Sequence, residues 1–179
     1  MAEIDRQTIY DELEAAKATF GRLIAAMSEE DLERRTVGTR WTNRQMLFHM
    51  LFGYFVVRTL IPLVKTLGVL PRPVSRGFAA LLNAGNRPFH PINYFGSWAG
   101  GHVLSPAAMQ RRFDRVCDRL ARRLARESDR SLDRGMCFPT RWDPFFQPYM
   151  TLREVYHYPT LHFAFHQRQL ALGQPGPDV

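Results

Sequence analysis

The sequence predicts an all-α fold, a four-helix bundle with a long aromatic connection between its second and third helices. Three observations carry this. Apolar residues recur at steps of three and four in four separate stretches of the chain. Two capping boxes and a Ser-Pro pair mark helix starts at Thr42, Ser105 and Thr151. No stretch alternates polar and apolar residues over the length of a strand. Four substantial helices without a sheet leave the bundle as the architecture that buries every apolar stripe.

The first helix carries Ile4, Ile9, Leu13, Ala16, Phe20, Leu23 and Met27 on one face and ends near Ser28, where Ser-Glu-Glu-Asp opens a short acidic turn. The second begins with Thr42-Asn43-Arg44-Gln45, a capping box, and runs toward Leu70 with Pro62 expected to kink or divide it. Between Pro71 and Ser105 the chain is rich in proline, glycine and aromatic residues. A short helix over 76–83 fits there, and the rest is expected to be an ordered loop or lid, because Phe78, Phe89, Tyr94, Phe95 and Trp98 call for burial. Ser105-Pro106 starts the third helix, whose narrow stripe is Phe113, Val116, Leu120 and Leu124. After a second aromatic loop, Thr151-Leu152-Arg153-Glu154 caps a fourth helix expected to reach about Leu172, with Pro159 inside it and Gly173 and Pro175 as its stop.

A chain of 179 residues suits one domain, taken here as residues 1–179. The charged N-terminus has no apolar signal core, and two cysteines twenty apart fit a reducing compartment, so a cytoplasmic protein is expected. His49, Arg58 and Lys65 interrupt the apolar run 46–70, which favours a buried helix over a transmembrane one. The net charge of +7 raises nucleic acid as a partner. Most of the excess, however, is arginine on the third helix, interleaved with Asp114, Asp118, Glu127 and Asp129, and Asp118 stands four residues before Arg122 as for a surface ion pair. No recognition motif accompanies it, so a solvated face is expected, with anionic lipid or a phosphate-bearing ligand as the alternative and nucleic acid disfavoured.

The chemistry concentrates in histidine. His162 and His166 are four apart and so share one helix face, close enough for both imidazoles to reach one ion. By itself the pair is a weak signal that core histidines would also produce. It shares a stripe with Val155, Pro159 and Gln169, however, which turns it toward the bundle, and His49 sits in the apolar run Met46–Phe52. Buried neutral histidines need partners for both ring nitrogens, and one shared ion is a common solution.

On Trp41-Thr42 followed by His49, and on His162, His166 and Gln169 as HxxxHxxQ, the sequence resembles the DinB/YfiT-like superfamily of metalloenzymes over almost the whole chain. The resemblance implies a four-helix bundle with a divalent metal held by His49, His162 and His166. It also implies activities that include transferases and isomerases using a low-molecular-weight thiol such as mycothiol or bacillithiol. Gln167-Arg168 stands where relatives often have Arg-Gly, and the segment 58–105 is unusually long and aromatic, which bears on the substrate rather than on the ligands. Zinc or nickel is the expected metal, although three imidazoles accept several ions.

Further candidates are weaker. Arg141, beside Asp143, and Gln169 are candidate cofactor-binding residues; Arg141 is also placed to pair with Asp143, and Gln169 to bond a ligand imidazole. His157 is expected at the surface or in a cap, and Glu154 in the helix cap first and as an outer support of the ligand histidines second, with Cys117 as a small core residue; His90 and His102 stay unassigned. The expected function is thus a metal-dependent thiol transferase or isomerase acting on a small apolar substrate, with metal-assisted hydrolysis as one alternative. Non-catalytic binding of an apolar ligand or a membrane surface is another, and a homodimer through the apolar second helix is compatible with either.

Overall fold

The computed structural model describes residues 4–85 and 89–172, without the side chains of residues 89, 90 and 92. Its four long helices are α1 (Arg6–Ala26), α3 (Asn43–Leu67), α6 (Pro106–Leu124) and α8 (Leu152–Gln167). Shorter helices α2 (Glu29–Glu33), α4 (Arg72–Ala84), α5 (Phe89–Val103) and α7 (Asp129–Leu132) connect them, with two strands, β1 (Gly135–Cys137) and β2 (Tyr149–Thr151). In the bundle α1 packs on α6 and α8, and α3 packs on the same two helices. The first and second long helices therefore stand across the core from each other, as do the third and fourth.

The cap signals act as the sequence reads. Thr42 and Gln45 satisfy one another's backbone donors at the start of α3, and Thr151 and Glu154 do so at α8. The Ser105 hydroxyl accepts from Ala108 N–H with Pro106 at the first turn of α6. Pro62 lies inside an α3 that continues to Leu67. The last helix ends at Gln167 rather than near Leu172; Gly173 and Pro175 lie outside the described residues.

All four long helices meet in one aromatic layer. Phe20 of α1 stacks on Phe113 of α6 with centroids 4.2 Å apart, Tyr54 of α3 lies 4.7 Å from Phe113, and Phe163 of α8 lies 5.7 Å from it. Phe113 is fully buried at the centre of this layer. Phe113→Ala is expected to cost about 4 kcal/mol through lost burial and an unfilled cavity. Thermal unfolding followed by circular dichroism should show Tm falling on the order of 10 °C for a chain of this size.

Asn43, buried at the first turn of α3, joins the two ends that matter for the site. Its amide donates to Asp31 O and Ala171 O, each at 2.8 Å, and its carbonyl accepts from Ala171 N–H at 3.0 Å. Val37 N–H donates to Gln169 O at 2.8 Å. The start of α3 and the residues after α8 are thereby held in register.

Several expectations need correction. The segment 71–105 is mostly helical: α4 extends beyond the short helix expected there, and α5 occupies what reads as loop. Its glycines are used for close approach. A Cβ on Gly100 would fall 2.2 Å from Phe48 Cζ, so glycine lets α5 lie against α3. Phe95 and Trp98 are exposed (63% and 46%) rather than buried, because α5 sits on the bundle as an outer layer, whereas Phe78 packs against the core. The second aromatic loop contains the antiparallel pair β1–β2, with Met136 opposite Met150; three-residue strands are too short to leave a period in the sequence. Asp118 pairs with Lys17 of α1 (2.9 Å) instead of Arg122.

Among the described residues α3 is the one helix long and apolar enough to cross a membrane by length and composition. Its face of Met46, Leu47, Met50, Tyr54, Val57, Ile61 and Val64 is fully buried in the core of the bundle.

Candidate metal centre

The three histidines named from the sequence meet at one point. α3 supplies His49 and α8 supplies His162 and His166, and His49 Nε2 lies 3.2 Å from Nε2 of each of the other two. One nitrogen from each ring falls within 4.8 Å of the other two. His49 and His162 are buried and His166 is half-buried. Among the described residues this is the His/Cys/Asp/Glu group placed to hold a metal ion.

Outer contacts orient the rings. His166 Nδ1 donates to Gln169 Oε1 at 2.7 Å, which leaves the lone pair of its Nε2 facing the other two imidazoles. His49 Nδ1 lies 3.1 Å from Ser97 Oγ of α5, and Trp41 packs on the His49 ring at 4.5 Å between centroids. His162 is held by shape: its Nδ1 has no hydrogen-bond partner among the described residues, and its ring presses on Gly53 of α3.

Burial sets the charge of the cluster. It pushes His49 down to about 3, with the neighbouring His166 adding to the effect. His162 is driven well below the usual histidine value by burial and then by His49 and His166. His166 is lowered by burial as well, against an opposing pull from Gln169 and Asp143. All three are therefore neutral donors at pH 7. For a metal-free protein the sign follows directly. Below about pH 6.5 an unfolded histidine takes a proton that its folded counterpart refuses, so stability is full above that pH and falls as the pH drops toward 3. His49, held down to about 3, contributes a loss on the order of 1.4 kcal/mol per pH unit within that window, and the other two histidines add to it in the same direction. Tm of chelator-treated protein should decline steadily from pH 7 to pH 5.

The cluster forms one wall of a cavity of about 600 Å³. The other walls are apolar: Phe52, Phe55, Val56, Leu60 and Leu63 from α3, Phe78 and Leu82 from α4, Met136 from β1, and Phe138, Trp142, Phe145 and Phe146 from the second aromatic loop. Polar groups are few, namely Thr59, Asn93, Asp143 and Tyr158. The Tyr158 hydroxyl donates to Asp143 Oδ2 at 2.7 Å and Phe145 N–H to Asp143 Oδ1 at 2.8 Å. Burial pushes the Asp143 carboxyl up, and these two bonds pull part of the way back. Burial and the Asp143 charge raise the Tyr158 phenol well above its ordinary value.

Gln169 lies against a cluster imidazole. Arg141 lies outside the cavity wall: it is exposed, and its backbone N–H donates to Asn83 Oδ1 at 3.1 Å. Its expected partner Asp143 is engaged by Tyr158 and Phe145 instead. His157 bonds Glu12 Oε1 at 2.8 Å, and Glu154 serves the helix cap. His102 is exposed with Nδ1 against Trp98 O, while the His90 side chain lies outside the described residues. Cys117 is buried in the core, where burial raises its thiol far from any reactive range. The sequence reading missed Ser97, Asp143 with Tyr158, and Gly53 as the seat of His162. Only Gly53 left a signal, as a glycine one turn beyond His49.

Residues 12–170 match the sequence profile of the DinB superfamily. No curated protein matches the chain. Among solved structures the chain is similar to YfiT from Bacillus subtilis, described as a probable metal-dependent hydrolase with an unusual four-helix bundle topology. The likeness covers 95% of this chain and 86% of that one, at 13% identity and a TM-score of 0.61, and it concerns the fold. With a profile match that spans nearly all of its described length and the bundle in place, this chain belongs to the DinB superfamily.

Proposed function

We propose that the protein is a metal-dependent enzyme in which His49, His162 and His166 hold one divalent ion, zinc or nickel, at the end of an apolar substrate cavity. The observation that carries this reading is the convergence of three neutral Nε2 atoms, 3.2 Å apart in two of their pairs, in a buried place with no proton donor to satisfy them all. The donor set fits: three imidazoles suit a borderline ion and leave coordination positions open, as a catalytic site requires. When bound, such an ion supplies Lewis-acid polarisation and a nucleophile available near neutral pH.

The chain's own groups do the rest. The aromatic and aliphatic walls bind the apolar part of a substrate and exclude bulk water. Ser97 and Gln169 hold two of the imidazoles in orientation. Asp143, raised by burial and gripped by Tyr158, takes a proton from the attacking nucleophile and returns it to the leaving group. A carboxylate of this kind beside three histidines favours hydrolysis of an apolar ester or amide. Thiol transfer or thiol-assisted isomerisation with a low-molecular-weight thiol such as mycothiol is the second reading, for which Thr59 and Asn93 are polar contacts that the cavity offers.

Plasma mass spectrometry of untagged protein purified without chelator is expected to find close to one divalent ion per chain, and His49→Ala and His162→Ala are each expected to abolish it. Metal absent from the wild type after reconstitution with zinc and with nickel would end the proposal. With the metal established, p-nitrophenyl esters of graded chain length, with and without mycothiol, separate hydrolysis from thiol transfer.

A further inference from the structure

A second hollow, of about 200 Å³, lies between α3 and α6, and its lining is of the opposite character to the first. Arg58 of α3 and Arg112, Arg115 and Arg119 of α6 surround a floor of Phe55 and Val116. Residues 112, 115 and 119 are spaced by three and four, so α6 presents them as one stripe, and Arg58 approaches from the neighbouring helix.

What distinguishes these four arginines is that they gather around one hollow without a carboxylate among its lining residues. Some described cations are matched, Lys17 with Asp118, Arg44 with Glu29 and Glu33, Lys65 with Glu127 and Arg153 with Asp133, while other surface arginines are not. Among the described residues none of the four groove arginines has a carboxylate partner, and Arg115 bonds only the carbonyl of Arg111 through Nε, at 3.0 Å. Four exposed guanidiniums around one hollow repel each other and raise the local potential. A doubly charged oxyanion relieves that repulsion, and its several oxygens match the paired N–H groups of guanidinium better than a single carboxylate does. Phe55 lines both hollows.

We propose that the arginine groove binds the phosphate head of an amphiphilic substrate whose apolar body passes Phe55 into the histidine-lined cavity. This rests on the cavity being the substrate site, and it narrows the substrate class from apolar molecules to phosphate-bearing amphiphiles. The anion is held by the arginines and not by the ion at the histidines, which makes the two claims separable.

The test is isothermal titration of octyl phosphate, below its micelle concentration, into wild-type protein and Arg112→Gln/Arg119→Gln, each both metal-loaded and chelator-treated. Octanol, inorganic phosphate and phosphatidylglycerol vesicles serve as the other probes. Octyl phosphate is expected to bind one to one, more tightly than octanol or phosphate alone, and to weaken about tenfold or more in the double variant, as for the loss of charged hydrogen bonds. Added salt should weaken it further. Removal of metal should leave the arginine dependence in place. Equal affinity for octanol and octyl phosphate, or an unchanged affinity in the double variant, overturns the inference, as does binding to vesicles without binding to octyl phosphate. Phosphate binding that disappears with the metal but survives the arginine substitutions overturns the groove and leaves the metal centre intact. A protein that takes up no metal yet shows the arginine dependence does the reverse.

Discussion

Asp143→Asn is expected to lower metal-dependent turnover by about 10²–10⁴-fold, the range for losing a positioned acid–base group, with metal content unchanged. The argument comes from what surrounds the carboxylate. It is half-buried in the wall of the same cavity as the histidines, receives one bond from the Tyr158 hydroxyl and one from Phe145 N–H, and is pushed up by partial burial. Asparagine keeps the volume and an acceptor for Tyr158 but cannot take a proton. Tyr158→Phe supplies the control that a merely structural role would not pass. The tyrosine bond lowers the Asp143 pKa, so its loss raises it, and the acidic limb of the rate profile should move to higher pH while the limiting rate above it is largely kept. A profile that stays in place in Tyr158→Phe, or an Asp143→Asn enzyme of full activity, would remove Asp143 from the chemistry.

Gly53→Ala is expected to weaken metal binding by about 10–100-fold or more, a loss of the size seen when the surroundings of a ligand are disturbed, although it should improve α3 as a helix. Alanine in a helix interior is favoured over glycine by about 1 kcal/mol. A methyl at this position, however, would fall 2.7 Å from His162 Nδ1 and 3.0 Å from Cε1. The imidazole must then move by several tenths of an ångström, more than a coordination bond tolerates. Metal content and far-ultraviolet circular dichroism together decide it: helicity should be retained and metal lost. Full metal occupancy in Gly53→Ala would mean that His162 has slack which the packing around it does not suggest.

How much of this was legible in the sequence depends on how local each signal is. Thr42, Ser105 and Thr151 act on backbone donors within the next turn, so their effect is written within four residues, and the starts of α3, α6 and α8 could be placed from it. The His162–His166 spacing is local in the same sense. That His49 joins them was an inference from its apolar surroundings and from family resemblance, and the bundle brings it there across 113 residues. The α5 helix escaped because proline and glycine in residues 91–101 lower its intrinsic propensity, while the packing of Gly100 against Phe48 and Gly101 against Gln45, which offsets that, is invisible until α3 is in place. The Asp143–Tyr158 pair escaped for a related reason: fifteen residues and a strand separate the two, and neither sits in a recognisable motif. The exposure of Phe95 and Trp98 shows the converse, since aromatic character states an affinity for burial and not which layer of the molecule a segment will occupy.

One property of the histidine cluster reaches beyond chemistry. Two of its members are neighbours on α8, but the third is fixed to α3 on the far side of the sequence, so an ion at that point is a reversible crosslink closing a loop of more than a hundred residues. Its free energy of binding is added to the folded state alone and grows with the logarithm of free metal concentration. Unfolding must either release the ion or tear α3 from α8 against it. The lifetime of the folded chain would then be set partly by the metal supply around it, and starvation for that metal would lower the amount of folded protein as well as its activity.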